Sequence, residues 1–193
     1  MPVKTISSCI VENGTVSVNG AEVFSSENRD TAMFLKEAFK ELRLSYPKFY
    51  KMDKLCQLAF VGAEFLLKAV EEKFDDDEVA LCFFCGQSSL DTDFRHQQLI
   101  NEGVNVSPAI FVYTLPNIML GEIAIRNKWY GENLLILKPE FNFESWANEA
   151  DVLIASGKAN YCLGGWADVF QENYQLQLYL VEATGSIMSL MSI

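Results

Sequence analysis

The sequence predicts an α/β fold. Two near-continuous apolar runs, VALCFFCG at 79–86 and LLIL at 134–137, have the length of strands buried on both faces of a sheet. Amphipathic helical periods separate such runs along the chain, and YQLQLYLVE at 174–182 alternates as a half-exposed strand does. Strands alternating with helices form layered α/β domains. At 193 residues, 50% of them hydrophobic, the chain is long enough for one domain over 1–193 with a substantial core.

KTISSCIV at 4–11 reads as a first strand, ended by the turn signal Glu12-Asn13-Gly14-Thr15. Residues 15–24 read as a second strand or hairpin arm, with Asn19-Gly20 as a further turn. A helix over 28–44 places Met33, Phe34, Ala38, Phe39 and Leu42 inside and Lys36, Glu37, Lys40 and Glu41 outside. Ser45-Tyr46-Pro47 breaks it. The next helix, about 53–74, has the face Leu55, Leu58, Ala59, Ala63, Leu66 and Val70.

After the VALCFFCG strand, 94–101 reads as a short helix, and Pro108 and Pro116 limit any helix in SPAIFVYTLPN. A helix over 117–128 and a turn at 129–133 lead into LLIL. The helix read over 140–156 buries Phe143, Trp146, Ala147, Ala150, Leu153 and Ile154, with Gly157 as its C-terminal stop. Asn160 to Leu163 is a strand ended by Gly164-Gly165. The final GSIMSLMSI fits either an exposed apolar tail or a strand docked on a neighbour.

Bulk properties exclude several classes of function. The net charge of −11 and the lack of a basic stripe argue against nucleic acid and against an anionic membrane surface. No apolar run spans a bilayer, and the N-terminus shows neither a long apolar stretch nor a small-residue cleavage site. Five scattered cysteines are not a disulfide framework, which points to a reducing, cytoplasmic setting. The acidic run 71–78 lacks the alternation and central glycine of a calcium loop and reads as a solvated turn.

Candidate chemistry is sparse. His96 is the one histidine, so a histidine-rich metal site is excluded and a surface helix position is expected. Cys82-Phe83-Phe84-Cys85 has CxxC spacing, but inside a strand the two side chains point to opposite faces, unlike a redox pair at a helix N-terminus. No phosphate loop or dinucleotide fingerprint is present, so no cofactor and no metal are expected. Glu140 follows Lys138-Pro139 where an apolar strand passes into a helix. An acid in a first helical turn is favoured by the helix dipole and by capping, without any chemistry.

Four segments in order carry a resemblance to the N-terminal half of β-ketoacyl synthases of the thiolase superfamily. KMDKLCQLAFVGAEFLL resembles the family's Arg/Lys-Met-Asp segment and following helix, and VALCFFCG its strand and glycine-bearing turn. VSPAIFVYTLPNIMLGEIAIRNKWYGEN is similar to the run from a Ser-Pro through an asparagine and a helix to Gly-Pro-Asn, although Gly131-Glu132-Asn133 stands in the last place. GKANYCLGGWADV resembles the Gly-Arg/Lys-Ala-Asp and Gly-Gly segment. The resemblance covers roughly 51–170 and implies a single thiolase-like half, a mixed, mostly parallel five-stranded sheet with helices packed on it. The helix 28–44 is additional to that core.

The resemblance also carries functional expectations. A gapless match from Gly131 to Gly157 puts the family's nucleophilic cysteine at Glu140, and a carboxylate cannot form the acyl thioester that condensation requires. The family's catalytic histidines and lysine lie in its C-terminal half, and this chain ends at Ile193, about where that half would begin. The chain is therefore expected to have no 3-oxoacyl synthase activity alone and to resemble short, cysteine-less chain-length-factor-type homologues. Such relatives pair with an active ketosynthase in fatty acid, polyketide or aryl polyene synthesis. In the family, the strand before the nucleophile pairs across a dimer axis, which makes Leu134, Leu135, Ile136 and Leu137 the dimer-strand candidates. Phe111 and Tyr113 match positions that gate the acyl tunnel and equally suit ordinary core aromatics. A lone half is expected to leave one apolar face needing cover, to which helix 28–44 contributes. Acyl carrier protein is expected to bind only indirectly, through the partner, because it is acidic like this chain. The alternatives are a residual malonyl decarboxylase or acyltransferase with a partner, and a homodimer that binds an acyl ligand.

Overall fold

A computed structural model describes residues 3–105 and 107–184, so the GSIMSLMSI stretch lies outside the described residues. In chain order the strands are β1 (Val3–Glu12), β2 (Thr15–Val18), β3 (Ala21–Ser25), β4 (Val79–Cys85), β5 (Asn133–Leu137), β6 (Tyr161–Phe170) and β7 (Asn173–Ala183). The helices are α1 (Thr31–Glu41), α2 (Lys54–Lys68), α3 (Leu90–Asn101), α4 (Pro108–Val112), α5 (Ile118–Asn127) and α6 (Phe143–Ala155), with a 3-10 turn at Pro47–Lys51.

The strands form one sheet in the order β3-β2-β1-β7-β6-β4-β5. It is seven-stranded, not five-stranded. It is also not mostly parallel. Only β4 with β5 and β4 with β6 run parallel, and every other pairing is antiparallel. The two strands beyond the family-like five are the β2–β3 hairpin, read from the sequence as a second strand or hairpin arm over 15–24, which the turns Asn13-Gly14 and Asn19-Gly20 fold back beside β1. All four of those turn residues adopt positive φ.

The sheet has two unequal layers. On one face α1, α2 and α5 build the larger core with Leu81, Phe83 and Cys85 of β4. Eleven residues of α2 are buried, because this helix lies between the sheet and α1 rather than on the surface. Each large apolar side chain buried there, such as Phe60 or Leu66, contributes about 1.5–3 kcal/mol. On the other face, α6 is the helix that packs among the described residues, with Trp146, Ala147, Ala150 and Ile154 against Cys82, Phe84 and Cys162. The Trp146 indole N–H donates to the Cys82 carbonyl at 2.8 Å and ties α6 to β4. Cys82 and Cys85 thus face opposite layers, as their strand spacing predicts.

Several boundaries shift for identifiable reasons. α1 starts after Asp30, whose carboxylate accepts the Met33 amide at 2.8 Å, and α2 starts after Asp53, which accepts the Cys56 amide at 2.9 Å. Met33, expected inside, is 46% exposed, and Leu35 takes the buried place. β6 does not stop at Gly164-Gly165 but runs through both. A β-carbon at Gly164 would fall on the Cys82 carbonyl, and one at Gly165 on the Gln177 carbonyl, so the glycines permit close strand contact rather than end the strand. α1 packs on α2 and β3, on the layer opposite α6. Outward positions of α6 are Glu144, Asn148, Val152 and Ala155, a mixed rather than an apolar face.

Candidate functional site at the strand-to-helix elbow

Parallel strands β4 and β5 end side by side, with Cys85 in register with Leu137, and the Lys138 amide adds a bond to the Cys85 carbonyl at 3.1 Å. Ligand sites in α/β sheets lie outside such carboxyl ends. The chain then bends through Pro139 and Glu140 before α6. Lys138 lays its ammonium 5.5 Å above the Phe84 ring, which fixes the entry to the bend.

Glu140 is exposed and makes no hydrogen bond or ion pair among the described residues. It is neither the cap nor in the first turn, because α6 begins three residues later than expected. Asn142 is the cap, accepting the Ser145 amide at 2.8 Å, and Glu144 is the acid in the first turn. Pro139 and the extended backbone of Asn142 (φ −132°, ψ 115°) hold Glu140 on the bend outside the helix.

Beside the bend, Phe141 lies 6.2 Å from the Trp166 ring and 6.2 Å from Tyr179, and Phe143 meets Tyr179 at 4.8 Å. These contacts seat the elbow on β6 and β7. Cys85 closes β4 at this end of the sheet and is buried, with its sulfur 3.5 Å from Asp168 Oδ1. Burial and then the Asp168 charge push its pKa up to about 12, so it stays a thiol and cannot act as a nucleophile near neutral pH. His96 lies on α3 with its ring 6.3 Å from Phe111. Among the described residues no group of three or more His, Cys, Asp or Glu is placed to hold a metal ion.

The tunnel-gate candidates separate. Phe111 is 63% exposed on α4, whereas Tyr113 is buried in the larger core. The Tyr113 hydroxyl donates to Glu122 Oε1 at 3.1 Å, and Lys48 reaches Glu122 Oε2 at 2.8 Å. Burial, and next the Glu122 charge, raise the Tyr113 pKa above the ordinary phenol value. Glu122 and Lys48 were not read as site residues from the sequence. The available signal was an acid at 122 among Met119, Leu120 and Ile123, on the buried stripe of α5.

The dimer-strand candidates lie on β5, which among the described residues ends the sheet and pairs on one side only, with β4. Leu134, Leu135 and Ile136 are half-buried and Leu137 is 57% exposed. Further apolar exposure gathers on α3 and α4, at Leu90, Phe94, Ile100, Phe111 and Val112. No helix among the described residues is long and apolar enough to cross a membrane.

No protein-family model and no curated protein matches the chain. Solved structures do. A ketosynthase in complex with its chain length factor from Xenorhabdus doucetiae matches with a TM-score of 0.63 at 13% identity, over 96% of this chain and 81% of that one. The ishigamide ketosynthase/chain length factor matches with a TM-score of 0.69 at 16% identity, over 97% of this chain and 64% of that one. A β-ketoacyl synthase from Burkholderia phymatum matches with a TM-score of 0.55 at 13% identity, over 72% of this chain and 44% of that one. At these identities the likeness is one of fold: the α/β arrangement here is that of ketosynthases and chain length factors.

Proposed function

We propose, with that ketosynthase-like fold as premise, that this chain is a catalytically degenerate, chain-length-factor-like partner of an active β-ketoacyl synthase. The observation that carries the reading is Glu140 on the strand-to-helix bend, where the family resemblance calls for a nucleophilic cysteine. An exposed carboxylate there accepts no acyl group as a thioester, and the Cys85 thiol at the end of β4 is buried, with its pKa pushed up to about 12.

Two surfaces support a partner. Among the described residues the outer edge of β5 has no strand beside it and ends in exposed Leu137, a feature that proteins cover or pair. The apolar side chains on α3 and α4 add a second area suited to burial, with Phe111 as its most exposed aromatic residue there. In this reading Phe111 closes against the partner's acyl tunnel, while Tyr113, tied to Glu122, holds α4 in place. Carrier protein is then handled mainly by the partner. The pathway served is a fatty acid, polyketide or aryl polyene one.

Co-expression with candidate ketosynthases, followed by affinity purification and light scattering, tests this. A stoichiometric heterodimer is expected, and its condensation activity should require the partner's cysteine. A well-behaved monomer that captures none of them would overturn the proposal. So would condensation by this chain alone that Glu140→Gln abolishes.

A further inference from the structure

A cavity of about 310 Å³ opens between α1, the 3-10 turn, the start of α2 and the α3–α4 pair, and it shares no lining residue with the elbow. Four of the chain's 15 basic side chains line it: Lys36, Lys51, Lys54 and Arg95. Its acids are Asp53 and Asp91, so four positive charges against two leave a local balance of +2 in a chain of net charge −11. Random placement on so acidic a chain would give the opposite sign.

Both acids are already engaged by the protein. Asp53 accepts the Cys56 amide at 2.9 Å and the Thr92 hydroxyl at 2.6 Å. Asp91 accepts the Gln171 amide at 2.7 Å and stands 3.4 Å from the Lys54 ammonium. Lys54 in turn donates to the Gln171 carbonyl at 2.8 Å. The side chains of Lys36, Lys51 and Arg95, by contrast, make no hydrogen bond or ion pair among the described residues. They come from three separate elements, and only the fold brings them to one cavity. Three cations around a concave, partly apolar wall repel one another and focus a positive potential inward, where a multiply charged anion is favoured. Arginine adds a planar fork that suits phosphate or carboxylate oxygens. The volume lies in the range of small-molecule sites, and Tyr50 and Ile110 supply an apolar wall.

We propose that this cavity binds a small polyanion, a phosphate ester or polycarboxylate with two or more negative charges, whose organic part lies against Tyr50 and Ile110. Titration calorimetry of the full chain at low salt, with pyrophosphate and citrate as separate probes, tests it. Saturable one-to-one binding of at least one probe is expected, and the tighter probe identifies the phosphate or the carboxylate class. The double variant Lys36→Ala/Arg95→Ala should weaken it by about tenfold or more, whereas Lys68→Ala/Lys73→Ala, equal in charge but at and beyond the far end of α2 from Lys54, should leave it within about twofold. If the double variant fails to fold, Lys51→Glu carries the same test from an exposed position. Two results overturn the site: no saturation by either probe up to about 10 mM, or equal weakening in the control pair, which would mean diffuse attraction only. Neither depends on whether a ketosynthase co-purifies with the chain.

Discussion

Tyr113 donates its hydroxyl to Glu122 Oε1 at 3.1 Å, while Lys48 holds the other carboxylate oxygen at 2.8 Å, so one buried acid joins the residue after α4 to α5 and the 3-10 turn. Tyr113→Phe leaves half of that acid without a partner in the core and should cost about 1–3 kcal/mol in urea unfolding. Lys48→Ala should cost at least as much, because it leaves the other oxygen of the buried Glu122 carboxylate without its cation, even though Lys48 itself is 42% exposed. Adding Glu122→Leu to Tyr113→Phe should cost less than the two single losses summed, because the stranded acid is then gone. Additive losses would show that the three groups do not act together.

The elbow and the cap are separable by mutation. Asn142→Ala removes the acceptor of the Ser145 amide and should destabilise the protein by about 0.5–2 kcal/mol. Glu140→Gln touches nothing and should change stability by less than about 0.5 kcal/mol. Equal losses in thermal or urea unfolding would return Glu140 to a capping role.

Alkaline pH should unfold the protein earlier than it would a chain with exposed thiols. Burial pushes Cys9 up to about 12, and burial with Asp168 does the same to Cys85, from an ordinary thiol value of 9.0. Tyr113 and Tyr174 are raised above 10.0, chiefly by burial. The folded state therefore holds these protons more tightly than the unfolded chain does. Their stabilisation is complete below 9.0 and falls as pH rises toward 12. Urea midpoints measured across that window should decline, and Cys85→Ala should flatten part of the decline. A midpoint that stays level to the top of the window would show that these groups are not held as described.

Leu137 tests the free edge. At 57% exposure, Leu137→Glu should leave the fold and its unfolding midpoint nearly unchanged. It should also reduce recovery of a ketosynthase partner about tenfold or more, by placing a charge where the strand edge is to be buried. Unchanged recovery would move the interface away from β5.

Much of this architecture was legible because it follows from local periodicity. The seven-residue run of β4 is buried throughout, α6 buries Trp146, Ala147 and Ala150 as spaced, and the CxxC cysteines point apart as strand neighbours must. The elbow was located correctly in the chain, between β5 and α6. Other features depend on distant partners and carry no local signal. Gly164-Gly165 reads as a strand end, yet it lies mid-strand, because the facing carbonyls belong to Cys82 on β4 and Gln177 on β7. Helix 28–44 reads as additional to the family-like core, and only the fold shows where it packs: beside α2, where Phe34, Leu35 and Phe39 join the larger core.

The sequence by itself determined the elements, the α/β class, the acidic balance and the presence of a carboxylate where the resemblance expects a thiol. Those follow from residue type and spacing along the chain. Only the tertiary structure decided the order and mostly antiparallel pairing of the seven strands, the use of Asn142 rather than Glu140 as cap, the union of Tyr113 with Glu122 and Lys48, and the gathering of Lys36, Lys51 and Arg95 around one cavity. Each of these is a relation between groups far apart in sequence. Their free energies depend on which other surfaces are buried beside them, and that is settled only when the whole chain packs.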